Sequence, residues 1–278
     1  MDGPSADIPQ ATMAGLKALL DGIFQDGDDL IIDGSLRKEI GPFVSQTSTD
    51  PVSPEQLADR FSRSHQALYG EAPSVLDYGC GTGAYRGMLE GMGYVWRGVN
   101  YLEGMAEGAR PAAQANSDID FYDGLHLPYD EASFDAVFSF QVFEHVRDLD
   151  AAFTEIARVL KPNGVLFGAV SYLEQFHDYS TYNFTPLGLK ASALKAGLRL
   201  EELHAAYDVF SWMFHRLRTM TTARHDLQGL IRRDNFFHHQ CVAYGQKLGR
   251  PVSDINLLKL MLCPHITFLI RKPDQTRA

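Results

Sequence analysis

The segment Val75-Leu76-Asp77-Tyr78-Gly79-Cys80-Gly81-Thr82-Gly83 constrains this chain more than any other. An apolar strand runs directly into three glycines at alternate positions. The backbone can turn tightly there, and a ligand can approach it at the N-terminus of the next helix, where side chains would otherwise block the way. A nucleotide-like ligand is expected at such a turn. Gly79-x-Gly81-x-x-Ala84 also satisfies the relaxed dinucleotide fingerprint, so an NAD-dependent oxidoreductase has to be weighed. Asp77, two residues before the first glycine, argues against it: a carboxylate there repels a pyrophosphate and attracts an amino group.

From residue 74 onward, short apolar runs alternate with amphipathic helices, the pattern of a parallel sheet with helices on both faces. Strands are expected at 74–78, 95–100, 119–122, 134–140, 165–171 and 198–205, with a terminal one at 265–271. Leu149, Phe153, Ile156 and Leu160 mark a helix closed by Lys161-Pro162-Asn163-Gly164, and 186–196 reads as another. Before the sheet, Met13, Leu16, Leu19, Leu20, Ile23 and Phe24 share one helical face. A second helix starts with Ser53 as cap, Pro54 in its first position and Gln56 three after the cap, and ends at Gly70. Residues 209–262 read as mostly helical.

The motifs occur in order. Gly98-Val99-Asn100-Tyr101 precedes Glu103-Gly104-Met105. Tyr122-Asp123-Gly124-Leu125-His126-Leu127-Pro128-Tyr129 follows, then Phe134-Asp135-Ala136-Val137 leading to Phe143-Glu144-His145-Val146, and finally Leu160-Lys161-Pro162-Asn163-Gly164. Together with the glycine turn, this set resembles the class I S-adenosylmethionine-dependent methyltransferases, in particular the group acting on small molecules such as quinones, sterols and natural products. The resemblance covers about 72–205 and the last strand. It implies a Rossmann-like, doubly wound seven-stranded sheet of order 3-2-1-4-5-7-6 with the last strand antiparallel. The expected layout is a helical N-terminal cap over 1–71, a cofactor-binding core over 72–208, a helical insertion or lid over 209–263 and the terminal strand of the core in 264–278.

The resemblance also assigns roles. Asp77 with the Gly79, Cys80 and Gly81 backbone would hold the methionine end of S-adenosylmethionine, whose ammonium needs a carboxylate. Asp123, Gly124 and Leu125 would face the adenine, with Met105 packed on the ring, and Tyr101 stands beside them. Phe140 and Gln141 would lie below the sulfonium. Where the family usually has an acid for the ribose hydroxyls, this chain has Asn100, which offers less acceptor capacity; Glu103 is the compensating candidate. That departure is the one feature favouring a non-catalytic, methyltransferase-like scaffold.

Transfer from a sulfonium is an in-line displacement, so holding the reactants in a dry pocket supplies most of the rate, and a base is needed only for a nucleophile that keeps its proton. His145, following the fourth strand, is the leading base; His177 oriented by Asp178 is the second candidate. Gln141 stands where some quinone-pathway relatives place an acid to bind magnesium, and His238-His239-x-Cys241 lacks a fourth zinc ligand, so no metal is expected.

A formal net charge of −10 disfavours a nucleic-acid partner. No apolar run approaches the roughly 20 residues of a membrane span, and no signal peptide is visible, so a cytoplasmic location without membrane association follows by default. Cys80, Cys241 and Cys263 form no disulfide framework. The expected activity is methyl transfer to a small, partly apolar molecule, with O preferred over N or C. The sequence leaves a homodimer open.

Overall fold

The computed structural model describes residues 6–7, 10–174, 180–220, 225–226 and 236–274. The chain divides into two compact units, Met1–Pro51 with His204–Ile266 and Val52–Leu203 with Thr267–Ala278.

The second unit carries a seven-stranded sheet. Its strands are β1 (Ser74–Tyr78), β2 (Val95–Tyr101), β3 (Ile119–Tyr122), β4 (Phe134–Phe140), β5 (Leu160–Ser171), β6 (Arg199–Ala205) and β7 (His265–Arg271), the last two running across the boundary between the units. The order is 3-2-1-4-5-7-6, as the family resemblance implied. Strands 3-2-1-4-5 pair in parallel. Lys272 N donates to Gly164 O at 2.9 Å and Asn163 N to Lys272 O at 3.0 Å, so the end of β7 lies beside the start of β5 and the last strand runs antiparallel. β1, β4 and residues 165–171 of β5 are buried almost throughout, as strands of a sheet covered by helices on both faces are.

Helix α3 (Pro54–Tyr69) forms as its sequence dictates, with a complete Ser53–Gln56 capping box and Gly70 in the left-handed conformation at its end. It buries Leu57 and Ala58 in a core shared with Val75, Leu89, Phe138, Phe167 and Leu269. On α6 (Leu149–Val159), Phe153 stacks on Phe143 at 4.8 Å, and Phe143 lies 6.3 Å from Phe268. One expectation needed correction. Lys161-Pro162-Asn163-Gly164 is not a turn ahead of the strand but a bulge within it: β5 begins at Leu160, opposite Phe134, and regular pairing resumes at Val165 opposite Ala136. Asn163 takes the positive φ, +65°, that the bulge requires.

In the first unit, α1 (Gln10–Asp26), α2 (Gly34–Glu39), α8 (Val209–Met220), α9 (Phe236–Lys247) and α10 (Val252–Met261) are the described helices. Leu20, Phe237 and Cys241 form a small core with Phe24, Phe210, Leu258 and Leu262 against it. Arg37 grips the buried Asp254 carboxylate with two 3.0 Å bonds. The apolar stripe read on α1 is wider than its buried face, since Leu19 and Ile23 remain exposed. No described helix is long and apolar enough to cross a membrane.

Candidate functional site

The carboxyl ends of β1, β2 and β4 bring most of the sequence-derived residues to one edge of the sheet. After β1 the chain turns through Gly79, Gly81 and Gly83, all at positive φ, and reaches α4 (Arg86–Gly91). The requirement is steric at Gly79, where a Cβ would stand 2.5 Å from both Val142 methyls. At Gly81 a Cβ would meet nothing within 4 Å, so that glycine keeps open the space above the turn. The turn is anchored by Gly79 N donating to Val99 O at 2.8 Å and Gly83 N to Cys80 O at 2.9 Å.

Asp77 lies under this turn, 2% exposed, and accepts a hydrogen bond from Trp96 Nε1 at 3.2 Å. Burial pushes its carboxyl up to about 7, with the Trp96 bond opposing in part. A buried carboxylate whose only donor among the described residues is a neutral indole is suited to a cationic ligand group, so the donor set fits the ammonium of S-adenosylmethionine. Cys80 is buried beside it; burial first, and then the Asp77 charge, pushes its thiol up to about 12, so it is a small packing group and no nucleophile.

Asn100 is turned inward. Its Oδ1 accepts from Gly81 N at 2.9 Å, while its Nδ2 donates to Gly81 O at 2.8 Å and reaches Cys80 Sγ at 3.4 Å. The carboxamide thus braces the glycine turn. Glu103, the other candidate for the ribose, is exposed and accepts from Tyr101 Oη at 2.7 Å. Tyr101 lies between the two loops assigned to adenine: a Cβ on Gly104 would come within 2.9 Å of its ring, and one on Gly124 within 3.3 Å. Its ring meets Tyr122 edge-on at 6.1 Å, and Tyr122 shares a 2.6 Å hydrogen bond with Tyr78. Met105 packs against the core beneath.

Asp123 is exposed and organises its own turn. Oδ1 accepts from Leu125 N at 2.8 Å and His126 N at 2.7 Å, and Oδ2 faces His126 Nδ1 at 3.1 Å. These bonds, led by the one from the His126 backbone, hold its carboxyl down to about 2. Gly124 follows at φ +90°.

At the end of β4, Phe140 stacks with Phe138 at 6.4 Å and lies 5.2 Å from Tyr85, which precedes α4. Gln141 adopts a left-handed backbone, φ +55°, which is uncommon for a residue with a side chain and marks a strained strand end. Its Oε1 accepts from Ser171 Oγ at 2.9 Å. The same hydroxyl lies 3.1 Å from Glu144 Oε1 and 3.0 Å from Glu174 Oε2. One hydroxyl proton serves one acceptor at a time, so two buried carboxyl groups and an amide compete for Ser171. Ser171 and Glu174 were missed in the sequence, because nothing in their spacing ties the end of β5 to the turn after β4. His145 closes the short 3₁₀ turn Phe143–His145, half-buried, its N bonded to Val142 O at 2.9 Å. His177 and Asp178 lie outside the described residues. Among the described residues no group of three or more His, Cys, Asp or Glu side chains is arranged to hold a metal.

A doubly wound α/β sheet with a glycine turn after its first strand defines a Rossmann-like ligand-binding fold. Within that class, residues 76–168 match the family model described as a methyltransferase domain. GfsG, a methyltransferase of Streptomyces halstedii, is 33% identical over 128 residues, which cover 42% of this chain and 46% of GfsG. The O-methyltransferase cnsE of Penicillium expansum is 31% identical over 122 residues, covering 40% of this chain and 44% of its own. The O-methyltransferase rstn1 of Aspergillus nomiae is 27% identical over 174 residues, covering 55% and 76%. The chain spans about half the length of GfsG and of cnsE.

Proposed function

We propose that this protein is an S-adenosylmethionine-dependent methyltransferase acting on a small molecule, with an oxygen nucleophile preferred. The observation that carries the reading is Asp77, a buried carboxylate without a cationic partner among the described residues, beneath a glycine turn in the segment that matches a methyltransferase domain. The preference for oxygen rests on the O-methyltransferases among the relatives.

S-adenosylmethionine supplies an electrophilic methyl group on its sulfonium. Asp77 takes the ammonium, and the space over Gly81 takes the methionine chain. The Asp123–Leu125 turn and Tyr101 hold the adenine, and Phe140 with Gln141 forms the floor below the sulfur. His145 removes the proton of an acceptor hydroxyl, with His177 and Asp178 as the alternative base pair. Acceptor recognition is assigned to chain outside 76–168, where length is left over once the methyltransferase domain is accounted for.

Titration of the full chain with S-adenosylhomocysteine by calorimetry tests the cofactor. Saturable binding that Asp77→Ala weakens at least tenfold supports the reading. Failure to bind, in a protein that melts cooperatively, replaces it with the non-catalytic scaffold.

A further inference from the structure

A cavity of about 720 Å³ opens at the other end of the same sheet, between the last turns of α3, the Lys161–Gly164 bulge and the end of β7. Its position separates it from the cofactor turn. The strands of β1, β4 and β5 run in parallel, so Asp135 and Lys161 mark their amino ends, and Gly79 and Gln141 lie at the carboxyl ends. A seven-residue strand such as β4 spans about 20 Å. Methyl transfer needs contact between donor and acceptor, so a molecule in this cavity is not the acceptor.

One wall is a ladder of rings at four-residue spacing on a single face of α3. Phe61 and His65 have centroids 5.9 Å apart and His65 and Tyr69 4.7 Å apart. His65 is 8% exposed, and its Nε2 is buried without a hydrogen-bond partner. Tyr69 and Leu68 remain largely exposed at the rim. The cations of the wall are all engaged: Arg60 with Glu202, Lys161 with Asp135 at 2.9 Å, and Arg271 with Glu201 at 2.8 Å. Glu71 stands exposed at the rim, in water. The interior therefore asks for no counter-charge. Its volume falls within the usual range for small-molecule sites, which are largely apolar with a few placed polar groups.

We propose that this cavity is a second ligand site, independent of the cofactor site, which takes a neutral, flat aromatic molecule seated against the Phe61–His65–Tyr69 ladder. The ligand is bound and not methylated.

Nile red, a neutral fused-ring dye with a carbonyl acceptor, is the probe, titrated into the full chain and followed by its fluorescence. Saturable one-to-one binding is expected. Tyr69→Ser removes the exposed ring at the rim, and should weaken binding several-fold. Ser64→Trp, at an exposed position lining the cavity, fills it and should weaken binding more than tenfold. Leu68→Glu, which charges the rim, should act in the same direction and serves if Ser64→Trp fails to melt cooperatively. Saturating S-adenosylhomocysteine should leave dye binding unchanged. The proposal is overturned by non-saturable binding, by insensitivity to both blocking variants, or by displacement of the dye by S-adenosylhomocysteine.

Discussion

Asn100 holds Gly81 by both polar atoms of its carboxamide, accepting from the Gly81 amide at 2.9 Å and donating to the Gly81 carbonyl at 2.8 Å. An amide makes both bonds at any pH, whereas an ionised carboxylate would set an oxygen against the Gly81 carbonyl. Asn100→Ala should cost about 1–3 kcal/mol of stability, the range for removing buried hydrogen-bond partners. Asn100→Asp should be no less destabilising at pH 8, and recover as pH falls and the buried carboxyl is protonated. Thermal melts at pH 5.5 and pH 8 measure both effects. Unchanged melting in Asn100→Asp would mean that the amide does not brace the turn.

Asp77 sets a second pH dependence. Its folded-state value, about 7, lies above the 3.8 of an exposed aspartate because burial disfavours the charged form. The folded chain therefore binds more protons than the unfolded one between those values. The resulting stability is fully present below about pH 4 and is lost as pH rises through about 7. For the cofactor-free protein, Asp77→Asn should raise stability at pH 8 by about 2–4 kcal/mol and flatten the decline between about pH 4 and 7 that this group contributes. Cofactor binding should show the opposite trend, strengthening as pH rises through 7, because an ammonium prefers the ionised carboxylate. Parallel slopes in wild type and Asp77→Asn would assign the pH dependence to other groups.

The sheet was legible in the sequence because each strand is a short apolar run with a turn signal behind it. The runs at 74–78, 119–122, 134–140 and 265–271 became strands with those limits. The bulge at Lys161–Gly164 was not legible: Pro162, Asn163 and Gly164 are turn residues, and only pairing with Phe134 draws Leu160 into the ladder. Asp77 was legible by its place before the glycines. The orientation of Asn100 was not, because its two bonds both reach Gly81, 19 positions away in the turn after the neighbouring strand. The Ser171 hydroxyl between Glu144 and Glu174 is likewise a product of the β4–β5 pairing.

His145 follows β4 on a turn whose backbone is fixed by its own 2.9 Å bond to Val142. If it is the base, His145→Ala should lower turnover about 10²–10⁴-fold on an acceptor that the wild type methylates through a hydroxyl. The acidic limb of the pH–rate profile should disappear, while S-adenosylhomocysteine affinity stays within about twofold, since His145 makes no assigned cofactor contact. A variant keeping the wild-type pH profile transfers the role to His177 and Asp178, which the paired variant His177→Ala then tests.

Two glycines separate stability from binding. Gly168 on β5 faces the Ser139 backbone so closely that a Cβ would overlap the carbonyl oxygen. Since the obstacle is main chain, Gly168→Ala forces β4 and β5 apart and should cost more than about 3 kcal/mol. Gly81 has open space where its Cβ would go, but a φ of +58°. Gly81→Ala should cost only about 1 kcal/mol, the usual penalty for a left-handed alanine. Its methyl group enters the volume assigned to the methionine chain, so affinity for S-adenosylhomocysteine should fall at least tenfold. Denaturant melts and calorimetry on the two variants give the contrast: little stability loss with lost binding at Gly81, large stability loss at Gly168. Unchanged affinity in Gly81→Ala would place the cofactor away from the turn.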